Sequence, residues 1–99
     1  MDTHSYLEKL ITEMLGGDKR RVFELFKDED VYQELVALDN KGGWLNYREN
    51  LYDGWHMIKH LEFYDVYYQE RGVSFERRRF KILKEAAEFF YTESGFVGS

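Results

Sequence analysis

Tyr64-Asp65-Val66-Tyr67-Tyr68-Gln69-Glu70-Arg71-Gly72-Val73-Ser74-Phe75 is the stretch on which the fold turns. Its first five residues are aromatic or β-branched apart from one aspartate, a composition that suits a pleated strand. Glu70-Arg71-Gly72 supplies a turn, because glycine tolerates the positive φ of a tight hairpin. Val73-Ser74-Phe75 leads a second strand back out. Both faces of the first strand carry apolar side chains, with Leu61, Phe63 and Tyr67 on one and Tyr64, Val66 and Tyr68 on the other. A sheet in a chain of 99 residues seldom has protein on both sides, so one face is expected to stay partly exposed.

Downstream, Ile82, Leu83, Ala86, Ala87, Phe89 and Phe90 recur at helical spacing, with Lys84, Glu85 and Glu88 outside, so a helix is expected to lie across the sheet. Gly95 and the terminal Gly98-Ser99 mark fraying. Upstream, Ser5-Tyr6-Leu7-Glu8 has capping-box spacing, Leu7, Leu10, Ile11, Met14 and Leu15 follow as an inner face, and Gly16-Gly17 ends the helix. Asp18 caps a second helix with Val22, Phe23 and Phe26 inward, and Asp30 a third with Val31, Leu35 and Leu38 inward. Asn40-Lys41-Gly42-Gly43 closes the helical half. Trp44, Tyr47, Leu51 and Trp55 fit a helical stripe, which predicts a short helix over 44–52 stopped by Asp53-Gly54. The expected fold is α+β: N-terminal helices, a small antiparallel sheet of about three strands, and a C-terminal helix packed on it, all in one domain of residues 1–99.

Composition divides the chain into two parts of different character. Residues 1–40 hold ten acids against five bases, so the whole net charge of −5 originates there. Fourteen of the 18 aromatics follow Lys41, in an aromatic part over 41–97. No cysteine is present, which excludes a disulfide scaffold, a thiolate zinc site and a thiol nucleophile. No apolar run reaches the ~20 residues that cross a bilayer, and Met1 to Gly17 lacks the basic start and apolar centre of a signal peptide. No membrane association and a cytoplasmic location are the resulting expectations.

Catalytic signatures are few. Neither a GxSxG elbow nor a phosphate-binding glycine loop nor a Rossmann fingerprint occurs. His56 and His60 share a side at four-residue spacing, but Met57 stands where a zinc-protease helix needs Glu, and two ligands do not define a metal site. No metal, cofactor or catalytic residue is expected. Arg77-Arg78-Arg79 is a run of three arginines. Side chains alternate along a strand, so the three guanidinium groups do not form one patch unless the strand ends there, and surface solvation or pairing with Glu76 and Glu85 accounts for them. With His56 and His60 they frame the alternative reading, a small nucleic-acid-binding regulator or small enzyme. A DNA mimic needs denser acidic charge and ranks last.

Carboxylates beside tyrosines point elsewhere. Asp28-Glu29-Asp30 sits where a helix N-terminus favours negative charge, and it also makes a patch for a basic partner. Asp53, Glu62, Asp65 and Glu70 alternate with tyrosines, of which Tyr68 is the chosen contact. Such rings supply area at little entropic cost while the charge orients the partner. The expected partner-binding set is therefore Asp53, Glu62, Asp65, Tyr68 and Glu70, with Asp28, Glu29 and Asp30 as a second patch. No nucleic acid is expected as partner, and an exposed aromatic face serves self-association into a homodimer as readily as binding another protein.

At Trp55-His56-Met57-Ile58-Lys59, Tyr64 to Gly72 and Phe80 to Tyr91 the chain resembles small bacterial immunity proteins that accompany polymorphic and contact-dependent toxins. The likeness is an aromatic strand ending in Tyr-Gln-Glu-Arg-Gly, a return strand and a helix of the kind Leu83-Lys84-Glu85-Ala86-Ala87-Glu88-Phe89-Phe90-Tyr91. It covers residues 55–91. The resemblance implies a non-catalytic inhibitor that binds one cognate toxin domain, often a nuclease, and blocks its active site or an adjacent surface. It carries over no individual contact residue.

Overall fold

The computed structural model describes residues 1–38, 40 and 43–98. Helix α1 (Thr3–Leu15) starts earlier than the Ser5 box suggests. Asp2 is its N-cap, accepting from the Ser5 N–H at 2.8 Å, which makes Thr3 the first helical residue and buries it. Glu8 pairs instead with His4, one turn back. Gly16 ends the helix at φ 62°, in the left-handed region where an L side chain is penalised.

Asp18 does cap the next segment, but Lys19–Phe26 is a 3-10 helix rather than an α-helix. Its inward residues are Val22, Leu25 and Phe26, with Phe23 half-buried. A step of three from Val22 to Leu25 matches the 3-10 repeat, in which residues i and i+3 eclipse. Helix α2 (Asp30–Ala37) follows, its first turn secured by the Asp28 carboxylate, which accepts from Asp30 N–H at 2.9 Å. Tyr32 and Leu35 face the core; Leu38 lies past the helix end. Of the expected turn at 40–43, Lys41 and Gly42 lie outside the described residues, as does Ser99 at the other end.

The expected helix over 44–52 is absent. Leu45–Asn46 forms a short strand β1, and 47–53 is an irregular loop before β2 (Gly54–His60). The reason is Asn46, whose wholly buried side chain donates to the Trp55 carbonyl and accepts from Asn40 and Asn50, tying the chain flat against β2. Strands β3 (Phe63–Glu70) and β4 (Val73–Phe80) complete a four-stranded sheet in the order β1-β2-β3-β4. The sheet is mixed, because β1 runs parallel to β2 while the other pairs are antiparallel. The β3–β4 turn places Arg71 at φ 51° and Gly72 at φ 79°, as a two-residue hairpin turn demands.

Helix α3 (Leu83–Glu93) crosses β2, β3 and β4 on one face. Its wholly buried Ala86 and Ala87 let the helix approach closely, and Phe89 meets the rings of Trp55 and Phe80. A single core draws Leu7, Ile11, Phe26, Tyr32, Val66 and Phe90 from both parts of the chain. The C-terminus does not simply fray: Phe96–Gly98 forms a 3-10 turn, with Phe96 5.2 Å from the Tyr91 ring. No helix among the described residues is long and apolar enough to cross a membrane.

Candidate functional site

Alternation along the strands sorts the candidate residues between two faces and two ends. On the face away from α3, Tyr67 and Asp65 of β3 lie between His56, Ile58 and His60 of β2 and Arg77 and Arg79 of β4. The His56 ring stacks on Tyr67 at 4.9 Å and 7°, and the Arg77 guanidinium lies 4.2 Å from the Tyr67 ring centre. Asp65 is buried and receives Arg79 through both Nε (2.8 Å) and Nη2 (3.2 Å), with Arg77 at 3.5 Å. The bond from Arg79 holds its carboxyl below the usual range. Asp65 is thus committed within the chain. The carboxylate that Arg77 and Arg79 use is Asp65, not the expected Glu76 or Glu85. Arg78 projects to the other face, over Phe89 at 5.1 Å, so the three arginines do not form one patch, although Arg77 and Arg79 share Asp65.

Ile58, His60, Asp65, Tyr67, Arg77 and Arg79 line an open hollow of about 280 Å³ on the α3-free face, together with Glu49. Its two carboxylates offset its two arginines. Among the described residues no group of three or more His, Asp or Glu is placed to hold a metal ion. His56 in particular is engaged, with Nδ1 3.2 Å from the Gly54 carbonyl and Nε2 2.9 Å from Asn50 Oδ1.

Asp53, Tyr68 and Glu70 come together at the end of the sheet where β3 runs into its turn. Asp53 accepts from the Arg71 N–H at 2.9 Å, which brings the loop before β2 against the β3–β4 turn. Partial desolvation raises the Tyr68 phenol, and the nearby Glu70 and Asp53 carboxylates raise it further. Three rings continue from this point. Trp44 lies 5.6 Å and Phe75 6.4 Å from Tyr68, and Trp55 closes the strip at 5.7 Å toward α3. Trp44 is 51% and Phe75 47% exposed. The result is an aromatic rim with a carboxylate border.

Glu62 and Glu29 lie at the opposite end, about 20 Å away at the rise of a strand, whereas Asp28 and Asp30 border a hollow with Met14 and Leu15 of α1. Glu62 is in the β2–β3 turn, and Glu29 bonds Lys59 Nζ at 2.6 Å and accepts from the Tyr64 hydroxyl. Those bonds, from Lys59 and then Tyr64, lower the Glu29 carboxyl. Asp28 and Asp30 remain exposed. The expected set is therefore split between the two sheet ends and that hollow, with Asp65 spent between the ends.

The surface is also less rich in tyrosine than its sequence suggests. Tyr32, Tyr47, Tyr64, Tyr67 and Tyr91, five of the eight, are buried. Their hydroxyls find internal partners: Tyr32 donates to the Met57 carbonyl, and Tyr47 and Tyr91 share a 2.7 Å bond. Trp44 and Phe75 were absent from the expected contact set. Phase along the return strand, which sets Phe75 opposite Tyr68, was the available signal for one of them. No protein-family model matches the chain, and no curated protein or solved structure matches it.

Proposed function

We propose that this chain is a non-catalytic inhibitor of the bacterial immunity-protein kind, acting in the cytoplasm by binding one cognate toxin domain. Convergence of Asp53, Glu70 and Tyr68 with the exposed Trp44 and Phe75 is the observation that carries the reading. Large rings with few rotatable bonds and a charged border are what a specific protein contact uses. Carboxylates there favour a basic partner, as a nucleic-acid-cleaving domain is. The aromatic hairpin and helix over 55–91 that carry the family resemblance also build the part of the fold that bears this rim.

The test is titration of the purified chain against the C-terminal domain of a secreted toxin, taken from the reading frame directly upstream where one is encoded there, by calorimetry and by inhibition of that domain's activity. A stoichiometric complex is expected. Trp44→Ala should weaken it about tenfold or more, and Glu70→Lys combined with Asp53→Asn likewise. Asn keeps the oxygen that accepts from Arg71, so the turn survives. No complex, or retention of RNA or DNA by the isolated chain at moderate salt, would overturn the reading.

A further inference from the structure

A hollow of about 350 Å³ opens where the start of α1, strand β1 and the end of α3 meet. Leu7 and Tyr47, both buried, form its floor; Trp44 and Phe96 stand at its walls, more exposed. The floor exists before anything binds, because Tyr47 is held by its bond with the Tyr91 hydroxyl and by the Phe90 ring at 5.6 Å. Among the described residues no Asp, Glu, Lys or Arg lines this hollow, although a third of the chain is charged. Four other hollows, of about 240 to 410 Å³, each carry two or more charged side chains. Nor does any buried side-chain polar atom among the described residues lack a partner, so nothing here calls for a polar occupant.

Lining and position together select the occupant. A charged head group would lose its water there and gain no counter-charge. The volume lies at the low end of the ~300–1,000 Å³ range of ligand pockets, which is room for one ring system. Trp44 belongs to the hollow and to the aromatic rim alike, since its ring meets that of Tyr68 at 5.6 Å. A protein that covers the rim therefore reaches the mouth of the hollow without a gap. We propose that the hollow is the socket for one uncharged aromatic side chain of that protein. An aromatic anchor seated in a desolvated pocket supplies a large share of the affinity of such a contact, while the carboxylate border orients it. The proposal rests on the inhibitor reading and deepens it by naming what the partner must present: a Trp, Tyr or Phe projecting from a basic surface.

His4 offers a way to close the socket and leave the rim intact. It lines the hollow from the exposed first turn of α1, and its pair with Glu8 is a surface one. His4→Trp, which sets an indole in the mouth, should bind the toxin domain about tenfold more weakly or worse at an unchanged melting temperature, whereas His4→Ala should bind as the parent does. With the chain alone, N-acetyl-tryptophanamide at about millimolar concentration should shift the NMR signals of Leu7, Tyr47 and Phe96, and N-acetyl-lysinamide should not. Parent-like affinity of His4→Trp overturns the socket and leaves the inhibitor reading intact. If the parent binds no toxin domain, the inhibitor reading falls, and the probe titration decides the socket: shifts at Leu7 and Tyr47 keep it, and their absence removes it. A homodimer that His4→Trp abolishes would put a second copy in the hollow and overturn the proposal.

Discussion

At His56 the ring is entirely out of water, stacked on Tyr67, with both nitrogens facing oxygen acceptors. Asn50 Oδ1 also accepts from Tyr52 N–H, which fixes the amide and makes Nε2 the donating nitrogen. Burial lowers the pKa, with the Gly54 carbonyl opposing. Below its ordinary value of about 6.5 the unfolded chain takes up a proton that the folded chain resists, so stability falls as pH falls through that region. The melting temperature should therefore decline from about pH 7 to about pH 5.5, and His56→Gln, which retains a donor for Asn50, should flatten that decline. Asp65 works with the same sign in a more acid range: its lowered carboxyl contributes above the unfolded value and ceases to as pH drops through the folded one. Residue types told that these groups titrate; which ones are buried followed from strand pairing over sequence gaps of ten or more, as between His56 and Tyr67.

Among the elements, the pairing of β1 with β2 is the one that sequence periodicity misread. Trp44, Tyr47, Leu51 and Trp55 have helical spacing, yet Trp55 N–H donates to the Trp44 carbonyl at 2.9 Å across a parallel ladder. Parallel neighbours ordinarily need a connection of a dozen residues or more. Here β1 is two residues long, so loop 47–53 has only that short length to retrace. Gly54 makes the approach feasible: at φ 126° a Cβ would lie 2.4 Å from the Trp44 carbonyl oxygen. Gly54→Ala should cost about 2 kcal/mol or more in urea unfolding, through both the clash and the dihedral angle. Loss confined to the loop, with unchanged global stability, would contradict the weight given to β1. Asp53-Gly54 reads as a turn signal in sequence, and it does end the loop; its second role, admitting a neighbouring backbone, depends on a contact ten residues back.

Across the molecule, charge is the property that a partner senses first. The net −5 originates in residues 1–40, and the structure brings one of those acids, Glu29, to the sheet end that carries Glu62, through its bond with Lys59. Attraction of a basic domain toward such an end should speed encounter, and counterions shorten its reach to about 10 Å at 0.1 M salt. Stopped-flow association with the toxin domain should therefore slow about tenfold or more between low and high salt, with dissociation changing less. A salt-independent on-rate would contradict steering. Sequence by itself determined the α+β class, the caps at Asp18 and the stop at Gly16, the aromatic hairpin and the crossing helix, because each is written in spacing within one element or across one turn. Tertiary structure alone decided that five tyrosines face inward, that Asp65 belongs to Arg79, and that Asp53, Tyr68 and Glu70 meet. Those outcomes depend on which strands become neighbours and which face a helix covers, and free energy of that kind is distributed over contacts between residues far apart in the chain.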